Sequence, residues 1–270
     1  GMMKNHFENQ VVIITGASAG IGRALAIKAS RQGAKVVLAA RRVEKLQQTA
    51  DECHQGGGEV LVVPTDVADE LQCRNLIEKT VQTFGRVDML INNAGMAVTA
   101  LLQDFSSLDL FRKTMDVNLY GAVYCTYYAL PYIKQSRGQI VGISSLTGKA
   151  GVPTRTGYAA SKHAMVGFFD SLRVELRGTG LGVTMIYPGF VDTGVQARGF
   201  GPDGKPLGRN PLQADKVMTT EECARIALKA ITARKREEVM TLRGKLGQWL
   251  KLIAPGLVDG IAAKAIELGK

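Results

Sequence analysis

Short apolar runs alternate with longer amphipathic segments along most of this chain. The runs are Val11-Val12-Ile13-Ile14, Val36-Val37-Leu38, Val60-Leu61-Val62-Val63, Met89-Leu90-Ile91, Gln139-Ile140-Val141-Gly142-Ile143 and Val183-Thr184-Met185-Ile186, with a shorter one at Glu238-Val239-Met240-Thr241. They are rich in β-branched residues and lack polar alternation, as strands buried on both faces require. The segments between them predict helices over 20–32, 43–55, 69–84, 106–134, 154–178 and 219–233. Gly33 and Gly85 stand where C-terminal glycines belong, and Asp69 and Thr219 where N-caps belong. Strands alternating with helices predict one α/β domain over 1–270: a doubly wound parallel sheet of about seven strands, with helices on both faces. Residues 190–217, with Gly194, Gly199, Gly201, Pro202, Gly204, Pro206, Gly208 and Pro211, form a loop too long for a plain connection and are expected to shape a substrate site. Residues 243–270 form a helical extension.

Composition narrows the class only slightly. Hydrophobic residues make up 46% and charged residues 21% of the 270, ordinary for a soluble globular protein. Cys53, Cys73, Cys125 and Cys223 are far apart, without metal or disulfide spacing, and fit free thiols in a reducing cytoplasm. His6, His54 and His163 form no metal set, and His163 is expected to be structural. The amino terminus lacks the apolar stretch of a signal peptide, and Gly1 before Met2 resembles an expression scar. No apolar stretch is long enough for a transmembrane helix. The net charge of +10 suggests anionic partners, nucleotide phosphates among them. No recognition helix or aromatic-basic platform points to nucleic acid.

The chemistry begins at the end of the first run. Thr15-Gly16-Ala17-Ser18-Ala19-Gly20-Ile21-Gly22 places a glycine-rich turn between a strand and a helix N-terminus, where backbone N–H groups and the helix dipole hold a pyrophosphate. This is a Rossmann-like arrangement with G-x-x-x-G-x-G spacing. The end of the second run then selects the dinucleotide. Leu38-Ala39-Ala40-Arg41-Arg42 has no acid before Glu44. An acid there would repel a 2′-phosphate, whereas arginine binds one, so Arg41 favours NADP(H). Farther along, Tyr158 and Lys162 share a helix face at i and i+4. A nearby ammonium eases phenol ionisation, which suits Tyr158 to trade a proton with a carbonyl or an alcohol.

Taken together, Thr15-Gly16-x3-Gly20-x-Gly22, Asn92-Asn93-Ala94-Gly95, Asn118, Ser145 with Tyr158-x3-Lys162, and Pro188-Gly189 resemble the short-chain dehydrogenase/reductase family over roughly 8–195. The resemblance implies hydride transfer between nicotinamide and a carbonyl or alcohol, with Asn118, Ser145, Tyr158 and Lys162 as the catalytic set. Ser145 would orient the reacting oxygen. Lys162 would also bind the nicotinamide ribose, and a helix distortion at Asn118 would hold a water linked to Lys162. Gly16, Ser18, Gly20, Ile21, Gly22, Arg41, Asp66, Val67, Asn93, Ala94, Gly95, Tyr158, Lys162, Pro188, Phe190 and Thr193 would contact the dinucleotide. A homo-oligomer, dimer or tetramer, is expected. The alternative is a non-catalytic dinucleotide-binding redox sensor.

Two features stay open. Leu146, Val152 and Phe190 suggest a lipophilic substrate, but they also suit packing. The segment Leu246–Leu268 is apolar, broken at Pro255 and Gly256, and flanked by Lys245, Lys251 and Lys264. It fits packing over the substrate cleft, an oligomer contact, or peripheral membrane attachment.

Overall fold

The computed structural model describes residues 5–189, 191, 199–207 and 217–267. The seven apolar runs become the strands β1 Val11–Thr15, β2 Lys35–Ala40, β3 Val60–Pro64, β4 Met89–Asn92, β5 Gln139–Ile143, β6 Gly182–Tyr187 and β7 Glu237–Val239. They form one parallel sheet in the order β3-β2-β1-β4-β5-β6-β7. Ile13 pairs with Val37 on one side and Leu90 on the other. The chain order therefore reverses at the β1–β4 seam, where open α/β sheets leave a crevice at the strands' carboxyl ends.

Helices α1 Gly20–Arg31, α2 Val43–Gln55, α3 Glu70–Phe84, α4 Asp109–Met115, α5 Gly121–Ser136, α6 Thr156–Glu175 and α7 Thr220–Thr232 cover the sheet. Alternate strand residues feed two cores. Ile13, Val37, Leu90, Ile140 and Met185 pack with α3, α5 and α6, while Ile14, Leu38, Ile91, Val141 and Ile186 pack with α1, α2 and α7. Each such buried side chain contributes roughly 1.5–3 kcal/mol, which pins the strand ends that carry the site. Asp69 caps α3 by accepting from Leu71 N at 3.0 Å and Gln72 N at 3.3 Å, and Gly85 ends that helix at φ 75°.

The expected single helix over 106–134 is broken. α4 gives way to a π-helical turn, Asp116–Tyr120, before α5 begins. The cause is Asn118, which is buried and spends its side chain on residues outside the helix. The C-terminal extension is two helices, α8 Leu242–Ile253 and α9 Pro255–Glu267. Pro255 lacks the N–H that would continue α8, but it suits the first turn of a new helix. Among the described residues no helix is long and apolar enough to cross a membrane.

Candidate active site

The glycine turn shows why its residue types are needed. Gly16 and Gly20 adopt φ of 64° and 59°, where a Cβ is disfavoured. Gly22 is a packing requirement, because a Cβ there would lie 2.2 Å from the Gly16 carbonyl oxygen and 2.4 Å from Asn93 Nδ2. α1 therefore approaches the turn more closely than any other residue allows. Its N-cap residue, Ala19, makes no side-chain cap hydrogen bond, and no acid stands in its first turn. With Ser18 and Ile21 half-buried beside them, the backbone N–H groups here form an anion cradle that fits a dinucleotide pyrophosphate.

Across the seam, β4 is tied to this turn. The Thr15 hydroxyl accepts from the backbone N–H groups of Asn93 at 3.0 Å and Ala94 at 2.9 Å. Asn93 Nδ2 donates to the carbonyls of Thr15 and Gly16, both at 3.2 Å. The Asn93 side chain is thus a brace for the cradle, and Thr15, which the motif contains without marking it out, is the other half of that brace. Asp66 makes a local turn, accepting from Ala68 N at 3.0 Å. Val67 is buried against Gly121, where a Cβ would stand 2.7 Å from Val67 Cγ2. At the end of β2, Arg41 is exposed and has no ion-pair partner among the described residues.

Beyond β5, Ser145 caps a 3-10 turn, Leu146–Gly148, and its Oγ accepts from Thr147 N at 3.2 Å. α6 brings up Tyr158, half-buried, with Ser145 close enough to lower its pKa by hydrogen bonding. Burial is the largest influence and raises that pKa; the Arg155 charge and then Ser145 oppose it. Lys162 is buried, and its Nζ donates to the Ile143 carbonyl at 3.1 Å. Nζ lies 5.6 Å from the Tyr158 ring centroid, and burial pushes its pKa down to about 8. Arg155, whose guanidinium carbon is 5.9 Å from the ring centroid, is a second cation beside the phenol and lowers its pKa. Burial also lowers the Arg155 pKa. Sequence reasoning missed Arg155; its one signal is its position, three residues before Tyr158 at the mouth of α6.

Asn118 sits behind this group. Its Oδ1 accepts from Met96 N at 2.8 Å, and its Nδ2 donates to Met96 O and to Ser161 Oγ, both at 3.0 Å. Both Nδ2 hydrogens are used, so the side chain holds the loop after β4 against α6. Gly95 separates it from the lysine: a Cβ at Gly95 would stand 3.4 Å from Asn118 Oδ1 and 3.6 Å from Lys162 Nζ. His163, one residue past Lys162, is exposed, and its Nδ1 lies 2.8 Å from the Ala159 carbonyl oxygen, in hydrogen-bonding range. Pro188 is buried, and its carbonyl accepts from Leu146 N at 3.2 Å. Phe190 and Thr193 lie outside the described residues.

Known proteins share this fold. The family model for short chain dehydrogenase matches residues 10–200. An 11-beta-hydroxysteroid dehydrogenase-like 4A protein of Arabidopsis thaliana is 36% identical over 250 residues, covering 92% of this chain and 82% of its own length. A short chain dehydrogenase/reductase from Burkholderia phymatum, solved in complex with NAD, superposes with a TM-score of 0.82 at 28% identity, over 93% of this chain and 96% of that one. An alcohol dehydrogenase from the archaeon Thermococcus sibiricus, complexed with 5-hydroxy-NADP, gives a TM-score of 0.73 at 28% identity, over 86% and 95%. The chain belongs to the short-chain dehydrogenase/reductase family. It is an oxidoreductase built on a nicotinamide-dinucleotide-binding fold, and a non-catalytic sensor is not favoured.

Proposed function

We propose that this protein is an NADP(H)-dependent oxidoreductase that interconverts a carbonyl and an alcohol, with Tyr158 as proton donor and acceptor. The observation that carries this reading is the setting of Tyr158: a half-buried phenol whose pKa burial raises, with Arg155 and Ser145 partly offsetting that rise and Lys162 Nζ 5.6 Å from its ring centroid. When bound, the nicotinamide supplies or takes up the hydride. Gly16, Ser18, Gly20, Ile21 and Gly22 hold the pyrophosphate, and Asp66 and Val67 border the adenine. Asn93, Ala94, Gly95, Lys162 and Pro188 line the nicotinamide half. Arg41, exposed at the end of β2 with no acid beside it on that strand, receives the 2′-phosphate.

In the reductive direction the Tyr158 hydroxyl gives its proton to the developing alkoxide. Ser145 accepts from Thr147 N, and its single O–H, which faces the phenol in the ligand-free site, turns to the substrate oxygen and orients it. The phenolate left behind is stabilised by the Arg155 charge. One Lys162 N–H goes to Ile143, and the other two are available to the ribose and to water. With its side chain committed elsewhere, Asn118 contributes through the π-turn, which takes a backbone carbonyl out of the regular ladder to hold a relay water. The hydroxysteroid named for the Arabidopsis relative agrees with a lipophilic alcohol or ketone as substrate.

An NADPH-oxidation screen over ketones, aldehydes, steroids and 3-oxoacyl thioesters tests the reading. Turnover should appear on at least one class, and Tyr158→Phe should abolish it while NADPH binding persists. Full turnover in Tyr158→Phe would overturn the assignment. Arg41→Ala should weaken NADPH binding and leave NADH unchanged; equal affinities for both dinucleotides, insensitive to this change, would refute the NADP preference.

A further inference from the structure

The helix α8 is mounted with its apolar face outward. Amphipathic helices of globular proteins turn that face to the core; α8 buries no residue at all. Leu242, Leu246, Trp249 and Ile253 recur at intervals of four, three and four residues and so share one face. Trp249 is 68% exposed, Leu252 75% and Ile253 84%. The opposite face holds the helix to the body. A Cβ at Gly244 would stand 2.6 Å from Leu146 Cδ2, and Lys251 Nζ donates to the Lys149 carbonyl at 2.9 Å. In α9, Leu257 and Ile261 are also exposed, one turn apart.

The rims of this face are basic. Arg243 flanks it on one side and Lys245 on the other, both exposed, and α8 contains no acidic residue. A twofold contact between copies sets the same patch against itself. That would bring the basic rims of two copies together with no acid on α8 to pair them. An anionic lipid surface satisfies both parts of the face, apolar side chains entering the acyl boundary and basic rims meeting headgroups. At 12 residues, α8 is about 18 Å long, too short to cross a hydrocarbon core of about 30 Å, so it lies in the interface plane.

We propose that α8 is a peripheral docking helix for anionic phospholipid bilayers, inserting Leu242, Leu246, Trp249 and Ile253 between Arg243 and Lys245. Trp249 is the only tryptophan of the chain, so its fluorescence reports the event directly. The full-length protein is mixed with phosphatidylcholine vesicles, with and without phosphatidylglycerol, at low and high salt, and binding is read by flotation and by Trp249 emission. Binding to the phosphatidylglycerol vesicles, a blue shift and quenching by brominated acyl chains are expected, with binding weakened by salt. Arg243→Gln and Lys245→Gln should each weaken partitioning about fivefold. Leu246→Gln with Ile253→Gln, both at exposed positions, should abolish it while the melting temperature stays unchanged. No flotation with phosphatidylglycerol vesicles would overturn the proposal. So would an emission already blue-shifted without lipid in a sedimenting dimer, which would assign the face to a second copy.

Discussion

Lys162 should cost the empty protein stability in a way that depends on pH. Its ammonium is buried, and that burial lowers its pKa from 10.5 to about 8. At about 1.36 kcal/mol per unit, charging this side chain in the folded state costs on the order of 3 kcal/mol. The folded pKa lies below the unfolded one. Between about pH 8 and pH 10.5 the unfolded chain therefore holds a proton that the folded chain has released, and stability rises with pH through this window. Below pH 8 the full cost is present. Lys162→Met removes it but strands the Ile143 carbonyl, now accepting at 3.1 Å, at a cost of roughly 1–3 kcal/mol. At pH 7 the variant should equal the parent or exceed it by up to about 2 kcal/mol. Above pH 10.5 it should be the weaker by roughly 1–3 kcal/mol. Urea denaturation of dinucleotide-free protein across this range measures both, and other titrating groups cancel in the difference. Parallel stability curves for parent and variant would show that Lys162 bears no burial cost, and the reasoning would fail.

Three further outcomes follow from the same geometry. Gly22→Ala forces α1 off the Gly16 carbonyl; overpacking of about 1–3 kcal/mol should lower the melting temperature by roughly 2–5 °C and weaken dinucleotide binding in a fluorescence titration. Gly247→Ala, with nothing near its would-be Cβ, is the control and should melt no lower than the parent. Arg155→Met removes the cation beside the phenol, so Tyr158 should hold its proton to higher pH. The rising limb of alcohol oxidation should move alkaline, with KM for the dinucleotide unchanged; an unmoved profile would deny Arg155 this role. Gly95→Ala places a methyl between Asn118 and Lys162 at ordinary contact distances. It should leave stability within about 0.5 kcal/mol but reduce turnover by about tenfold or more, measured as kcat against the melting curve of the same sample.

The sheet was legible because burial on both faces leaves its mark in continuous apolar runs; all seven strands lie within two residues of those runs at either end. The phosphate turn was legible because close approach demands glycine locally, whatever the rest of the fold does. Asn118 was recognisable only as an awkward helix residue. What breaks the helix are contacts with Met96 and Ser161, twenty-two and forty-three residues away in opposite directions, and no window along the chain contains them. Arg155 escaped for a related reason. Ahead of a helix, an arginine reads as a solvated start, and its meaning comes from the phenol that the first turn of α6 swings beneath it. α8 shows the same limit from the other side. Its apolar stripe is plain in the sequence, yet a stripe does not say which way it faces. Gly244 against Leu146 and Lys251 on the Lys149 carbonyl settle that, and they turn an ordinary amphipathic pattern outward. Local chemistry can thus be read from residues in order, whereas the direction in which a charge or an apolar face acts is set by the partners that the fold brings to it.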